Sequence, residues 1–350
     1  MVTSSQVKAI AREAGFELAG ITPATPSPDL VRYQTWVERG MAGKMGYLTD
    51  RRAGVRADPR NLLPSARSIL CLGKLYNTDH PRSTDADPSM PWISRYAWGR
   101  DYHQVLREGI ESIVHRLQQV AEFDYKICID TAPLLERSYA RAAGLGWIGK
   151  NTCLINQEQG SWFFLGELLL SIELQPDEPP PDRCGTCSRC IEACPTDAIV
   201  ASQNELGGYT IDSQRCISYL TIELKGPIPR QLRPGIGRQV FGCDICQDVC
   251  PWNAHAPITD DSAFSPALHP GIERLSYLSA DEIRLTFKES PVSRAKDSGI
   301  LRNVATVMGN LKSEEFRNPL QHLSQSSDPI VKEHAFWSLE QLDSNRRDLD

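Results

Sequence analysis

The sequence predicts a multidomain α+β protein of three units, and three observations carry that expectation. Residues 1 to about 175 alternate between helical and strand-like patterns, eight cysteines crowd into 184–250 in two runs that each end in proline, and after about 280 only helical patterns return. With 350 residues and 41% hydrophobic content the chain can bury a core without covalent staples. The expected units are 1–175, 176–255 and 256–350. QPDEPPPDR, with four prolines, marks the first boundary.

The elements follow in order. VKAIAREAGF reads as an amphipathic helix. SILCLGKLY (68–76) is a buried-strand run after a proline-containing turn. In DYHQVLREGIESIVHRLQQV (101–120) the apolar positions 105, 106, 110, 113, 114, 117 and 120 fall on one helical face. YKICID (125–130) is a short strand ending in Asp130, and LLERSYARAAGLG (134–146) is a helix that stops at glycines. SWFFLGELLLSIEL (161–174) is apolar enough for a fully buried strand. This first unit reads as α/β or α+β. At the other end, LRNVATVMGNLK and DPIVKEHAFWSLEQLD each resemble one arm of a HEAT-type helical pair. About two repeats fit, so a short helical cap is expected.

The net charge of −6 and a pI near 5.7 give no global nucleic-acid signature. Local stretches differ. Residues 224–242 carry Lys225, Arg230, Arg233 and Arg238 without an acid, 51–67 carry five arginines against Asp58, and 294–302 add Arg294, Lys296 and Arg302 against Asp297. Such patches suit phosphate contact, and solvated surface is the plainer reading. The chain holds no GxGxxG after a strand, no P-loop, no HExxH and no GxSxG. GLGWIGKN (144–151) fits none of these, though its glycines permit close backbone approach to a large flat ligand. The N-terminus has no signal-like apolar core, and no run approaches the ~18 apolar residues of a membrane span. A reducing, cytoplasmic setting is expected, in which disulfides are disfavoured.

The cysteines then call for metal. Zinc sites present two separated pairs. Here CGTCSRCIEACP gives Cys184-x2-Cys187-x2-Cys190-x3-Cys194-Pro, the bacterial ferredoxin run, in which three thiolates grip one [4Fe–4S] cube and the fourth ligates the other. The second set is Cys216 and CDICQDVCP. Crossed ligation assigns Cys184, Cys187, Cys190 and Cys250 to cluster one, and Cys194, Cys216, Cys243 and Cys246 to cluster two. Cys216 departs from a simple ferredoxin, because ISYLTIELKGPIPRQLRPGIGRQVFG separates it from Cys243. Cys71, Cys128 and Cys153 lie in apolar surroundings and read as small buried hydrophobes.

The stretches GYLTDRRAGVRADPRNLLPSARSIL, SRYAWGRDYHQVLR, CIDTAPLLERSYARAAGLGWIGKNTCLIN, the eight-cysteine module and QRCISYLTIELKG together resemble the epoxyqueuosine reductase family over nearly the whole chain. The resemblance implies an α/β cobalamin-binding domain related to reductive dehalogenases, a double-cluster ferredoxin-like domain and a short HEAT-like helical domain. It implies reduction of epoxyqueuosine to queuosine at the wobble position of tRNA, with cob(I)alamin as nucleophile and the two clusters feeding it. Asp130 in CIDT matches the family's proton donor, a task for which burial would have to raise its pKa. Its plainer role is an N-cap for the next helix. Arg56, Ser94, Leu154 and Leu165 fall at cobalamin-contacting positions, as does Asp130, and Ser218 and Asp244 stand beside cluster-two cysteines. The plainer readings are a surface ion pair for Arg56 and a helix cap for Ser94. The leucines would contact through backbone groups.

No histidine motif offers a cobalt ligand. His103 and His115 read as surface or core, which agrees with the base-off cobalamin, without a protein histidine ligand, that the resemblance implies. Lys225, Arg294, Lys296 and Arg302 are the expected tRNA contacts, with the nucleotide splayed out of an unpaired loop. The implied partners are a tRNA anticodon stem-loop and an external low-potential electron donor, with no membrane and a monomeric chain. Two rivals share parts of this pattern: a dehalogenase-like cobalamin enzyme acting on a small molecule, and a non-catalytic electron carrier.

Overall fold

The computed structural model describes residues 2–202, 207–266 and 271–347. A four-stranded sheet organises the N-terminal half: β1 (Leu18–Pro23), β2 (Ser68–Leu75), β3 (Tyr125–Cys128) and β4 (Phe163–Leu170), in the spatial order β1-β2-β4-β3. Every pairing is antiparallel. The unit is therefore α+β, and its main sheet is not the parallel one that an α/β reading implies. Alternating helix and strand periodicity does not fix strand direction.

The unbroken apolar runs of β2 and β4 have a simple cause: both sheet faces are covered. Leu70, Leu72, Leu168 and Leu170 point to α1 (Ser4–Glu13) and α2 (Tyr102–Gln118), whose Val7, Ala11, Leu106 and Ile110 complete that core. The alternate residues Ile69, Cys71, Leu75 and Leu169 point the other way and pack with Tyr139 and Ala140 of α3 (Glu136–Ala142). α1 opens with a capping box at Thr3 and Gln6, and α2 is capped by Asp101. The proline-rich segment lies against the sheet, where Asp177 takes the Ile21 N–H at 2.9 Å and Lys8 at 2.6 Å.

Beyond it, the cysteine runs form tight turns around short helical segments (Arg189–Glu192 and Ile245–Asp248). The insertion after Cys216 opens with a π-helical turn, Tyr219–Glu223, a geometry that tends to mark functional sites. Its Ile217, Leu220, Ile228, Ile236, Val240 and Phe241 share one hydrophobic core with α4 (Lys296–Leu311) and α5 (Pro329–Arg347), which pack on each other. One core thus runs across residue 255, and it gives the insertion a packing role. Among the described residues, no helix is long and apolar enough to cross a membrane.

Candidate active site

An open cavity of about 410 Å³ lies where sheet, cysteine module and C-terminal segment meet. Aromatic and aliphatic side chains form its faces: Tyr47, Tyr96, Tyr102, Phe164, Leu154 and Leu165. Tyr102 stacks flat on Phe164, ring centroids 4.4 Å apart. Its charged lining comes from Asp130, Glu136, Arg137, Glu223 and Arg294, with Arg294 paired to both Asp130 and Glu223.

Asp130 sits just past the end of β3 with φ +48°, a left-handed conformation that costs a non-glycine residue energy and recurs at functional sites. Its backbone N–H donates to Glu136 Oε1 at 2.6 Å. It does not cap α3, which begins at Glu136 without a side-chain cap. Its carboxylate instead accepts from Arg294 at 3.1 Å and meets His103 Nε2 at 3.3 Å. His103 Nδ1 meets Asp101 at 2.7 Å, so both ring nitrogens are engaged by carboxylates.

The charges follow from that geometry. Burial alone would raise the Asp130 pKa, but hydrogen bonding from His103 and the Arg294 charge outweigh it and hold the carboxyl below its usual range. This runs against the expectation of a burial-raised acid: the neighbours favour the ionised form of Asp130. Burial alone would lower His103, yet Asp101 and Asp130 hold it up at about 9. His103 is partly exposed, as a surface reading expects, and it also contacts the Asp130 carboxylate that lines the cavity. The signal for it was local, a D-x-H step at the start of α2 in which Asp101 both caps the helix and aligns the ring.

The cysteines gather as two groups. Cys184, Cys187, Cys190 and Cys250 line a cavity of about 360 Å³ together with Lys150, Ile155 and Trp252. Cys243 lies near Cys216 and Cys194, and Cys246 near Cys243 and Cys216. Among the described residues no three His, Cys, Asp or Glu side chains converge on a single ion. The first four thiols surround a space, as a cube requires. Ser218 lies close to the Cys216 thiol, where its polar groups favour the thiolate against the burial that raises the thiol pKa. Cys153 differs from the expected inert core residue: it lines the same cavity as Asp130 and lies beside Cys246, linking cavity and cluster-two region.

Of the expected cobalamin contacts, Asp130, Leu154 and Leu165 line the cavity. Arg56 does not line it. Buried, it donates to the Tyr47 carbonyl at 2.9 Å and so holds the backbone of a wall residue. Ser94 and Asp244 also stand behind the wall, bonded to each other. Asp244 further accepts from Trp92 Nε1 at 3.0 Å and Arg95 N–H at 2.8 Å. Their polar atoms are used within the protein, which makes them anchors for the chain around Cys243.

Of the expected tRNA contacts, Arg294 reaches the cavity, Lys225 donates to the Arg294 carbonyl at 3.0 Å, and Lys296 is exposed. Burial and the neighbouring charges of Lys296, Arg302 and Arg294 lower the Lys225 pKa, Glu223 opposing. Arg302 is a correction. It is 1% exposed and donates to the carbonyls of Leu220, Leu224 and Gly226, each at 2.7 Å. It ties the insertion to α4 and cannot touch a bound nucleic acid. Arg233 is likewise buried and paired with Glu333, and Arg230 pairs with Glu340. The insertion therefore places Lys225 beside Arg294, while Arg233 is buried and Arg230 forms a surface ion pair.

Known proteins match this arrangement. Residues 56–131 match the family described as epoxyqueuosine reductase QueG, DUF1730, and residues 183–253 match the 4Fe-4S double cluster binding domain. The epoxyqueuosine reductase of Xanthomonas campestris pv. campestris is 39% identical, across 97% of this chain and 96% of that one. That of Escherichia coli is 37% identical, across 97% and 89%. Among solved structures, an epoxyqueuosine reductase crystallised with an epoxyqueuosine-modified tRNA-Tyr stem loop superposes with a TM-score of 0.86 at 28% identity, covering 97% of this chain and 89% of that one. The Streptococcus thermophilus enzyme gives 0.85 at 28% identity, over 98% and 90%.

Proposed function

The chain belongs to the epoxyqueuosine reductase family, and we propose that it reduces epoxyqueuosine in a tRNA anticodon stem-loop within the cavity below Asp130. It is an oxidoreductase, and the overall change is fixed by chemistry. Both C–O bonds of the epoxide break, a C=C bond forms, and the oxygen leaves as water after accepting two electrons and two protons. One observation carries the reading: a single cavity is bounded at one end by Asp130 with a protonated His103, and along its wall by Cys153 in contact with the cluster-two thiol Cys246. Proton source and electron entry thus face one space.

The eight cysteines would hold two [4Fe–4S] clusters in the crossed pattern, and the cavity's aromatic and leucine faces suit a large planar macrocycle. Cobalamin bound there base-off would supply a low-potential nucleophile towards the epoxide carbon. Leu154 and Leu165 would border it. Ser218 would lie between it and cluster two, and no protein histidine would ligate the cobalt.

The chain's own residues do the rest. His103 holds a proton at neutral pH and passes it to the leaving oxygen through Asp130, the proposed proton donor. Asp101 fixes the ring in the orientation that presents Nε2 to Asp130. Arg294 balances the Asp130 charge until substrate arrives. Arg294, Lys225 and Lys296 form the basic surface for tRNA phosphates. α4 and α5, with the insertion packed on them, form the HEAT-like unit that carries this surface. The electrons come from an external low-potential donor. The chain would act as a cytoplasmic monomer.

The cofactor part of the proposal is tested by iron and cobalt per chain after anaerobic purification from cobalamin-fed cells. About eight irons and one cobalt are expected, two four-iron cubes and one corrin. Eight irons without cobalt, even after cobalamin is added, would leave an electron carrier.

A further inference from the structure

Glu167 occupies the middle of β4, paired laterally with Cys71 of β2 and Cys128 of β3. It is 0% exposed, and among the described residues neither of its oxygens has a hydrogen-bond partner. A buried acid of this kind calls for an explanation, since an ionised carboxylate there would lose its hydration without compensation. Its side chain points to the α3 face of the sheet, where Glu136 opens α3. Burial and then the Glu136 charge push the Glu167 pKa up, while burial and the Asp130 charge raise that of Glu136, which Glu167 draws back down; neither Glu167 oxygen forms a hydrogen bond to it. Glu136 also lines the cavity and binds the Asp130 backbone N–H. The other titratable groups facing the pair are Asp130 and Tyr102 across the cavity, Arg137 on α3, and the thiols of Cys71 and Cys128. Arg137 spends an N–H on the Thr152 carbonyl at 2.5 Å.

We propose that Glu136 and Glu167 form a proton reserve behind the Asp130 loop, from which Asp130 is re-protonated to deliver the second proton of the reaction. The inference rests on the reading of the cavity as an epoxide-reducing site. Epoxide reduction consumes two protons, and the His103 side holds one. Glu167 is the store, because nothing around it favours its ionised form. Glu136 is the outlet, because it alone of the two reaches the cavity. When Asp130 gives its first proton to the departing oxygen, the carboxylate it becomes takes the next from Glu136, which Glu167 replenishes. The electrons are those of the main reaction, and no further reductant is needed. Both glutamates act through Asp130 and are positioning residues.

The test joins infrared spectroscopy of the holoenzyme to turnover. The wild-type protein is expected to show a carboxylic-acid C=O stretch at neutral pH that shifts in D2O and disappears in Glu167→Gln. Steady-state turnover on an epoxyqueuosine stem-loop should fall at least about tenfold in Glu136→Gln. Its single-turnover first C–O cleavage should persist, and its alkaline limb should move to lower pH. Glutamine is neutral and of the same size, so both variants retain the buried shape. The infrared arm needs no substrate: absence of the band in wild type overturns the reserve whatever the enzyme does to the epoxide. Wild-type rates and pH profiles in both variants overturn it as well. A wild type that shows the band yet leaves the epoxide intact overturns the reading of the reaction, and the reserve role with it.

Discussion

Two acidic regions meet at the loop after β3, and their environments drive them to opposite charge states. On one side Asp130 faces His103 and Arg294 and stays ionised. On the other, Glu136 and Glu167 face apolar sheet and each other, and burial raises both. The same functional group is held towards its charged form in the first place and towards its neutral form in the second. The cause is the neighbours: two cations against none in hydrogen-bond contact. A proton-consuming reaction needs both, a polar gate that moves protons and a dry store that keeps them.

The largest effect should come from the gate itself. Asp130→Asn keeps size and fold and removes the carboxylate that relays the proton, and should lower turnover by about 10²- to 10⁴-fold while bound iron and cobalt stay unchanged. Unchanged turnover would remove Asp130 from the mechanism. His103→Gln comes next. With His103 held at about 9, wild-type activity should fall as pH rises through that value, because the proton it supplies is lost. The variant should be slow and lack that limb, and a limb that persists would assign it to another group.

A third change separates charge that binds from charge that builds. Lys225→Ala should weaken stem-loop binding and lessen its salt dependence while stability holds. Arg302→Met should instead cost about 3 kcal/mol of stability, because it strands the carbonyls of Leu220, Leu224 and Gly226. Binding isotherms and thermal melts on both variants distinguish the two roles, and a folded Arg302→Met protein with weakened binding alone would reverse them.

The smallest effect is on the store. Glu167 keeps its proton when folded, whereas the unfolded chain releases it above the usual carboxylate range. The stability involved is full at low pH and is lost as pH rises towards the folded value, at about 1.4 kcal/mol per pH unit for one proton. Melts of Glu167→Gln should show a shallower decline with pH than wild type. Parallel curves would mean that Glu167 carries no extra proton.

What the sequence made legible follows from range. The cysteine groups could be read because cluster ligands lie on tight loops, where spacing is geometry. The helices at 102–118 and 296–311 were legible from periodicity. Strand direction was not, since FFLGELLL reads the same in a parallel or an antiparallel sheet. Arg302 misled because counting charge cannot separate a solvated guanidinium from one buried beneath three carbonyls. Its neighbours Asn303, Val304 and Thr306 are buried as well, a hint that α4 has no free polar face there. His103 and Cys153 escaped because each gains its role only when a distant segment, the Asp130 loop or the Cys246 turn, folds against it. Glu167 did leave a trace: one acid inside an otherwise unbroken apolar strand is a buried acid in the making.

The central claim is met most directly by incubating the anaerobically reconstituted, reduced holoenzyme with an epoxyqueuosine-bearing anticodon stem-loop and weighing the modified nucleoside. The account predicts a product lighter by one oxygen and heavier by none, formed by wild type and not by Asp130→Asn. An unchanged nucleoside in the presence of intact clusters and bound cobalamin would contradict it.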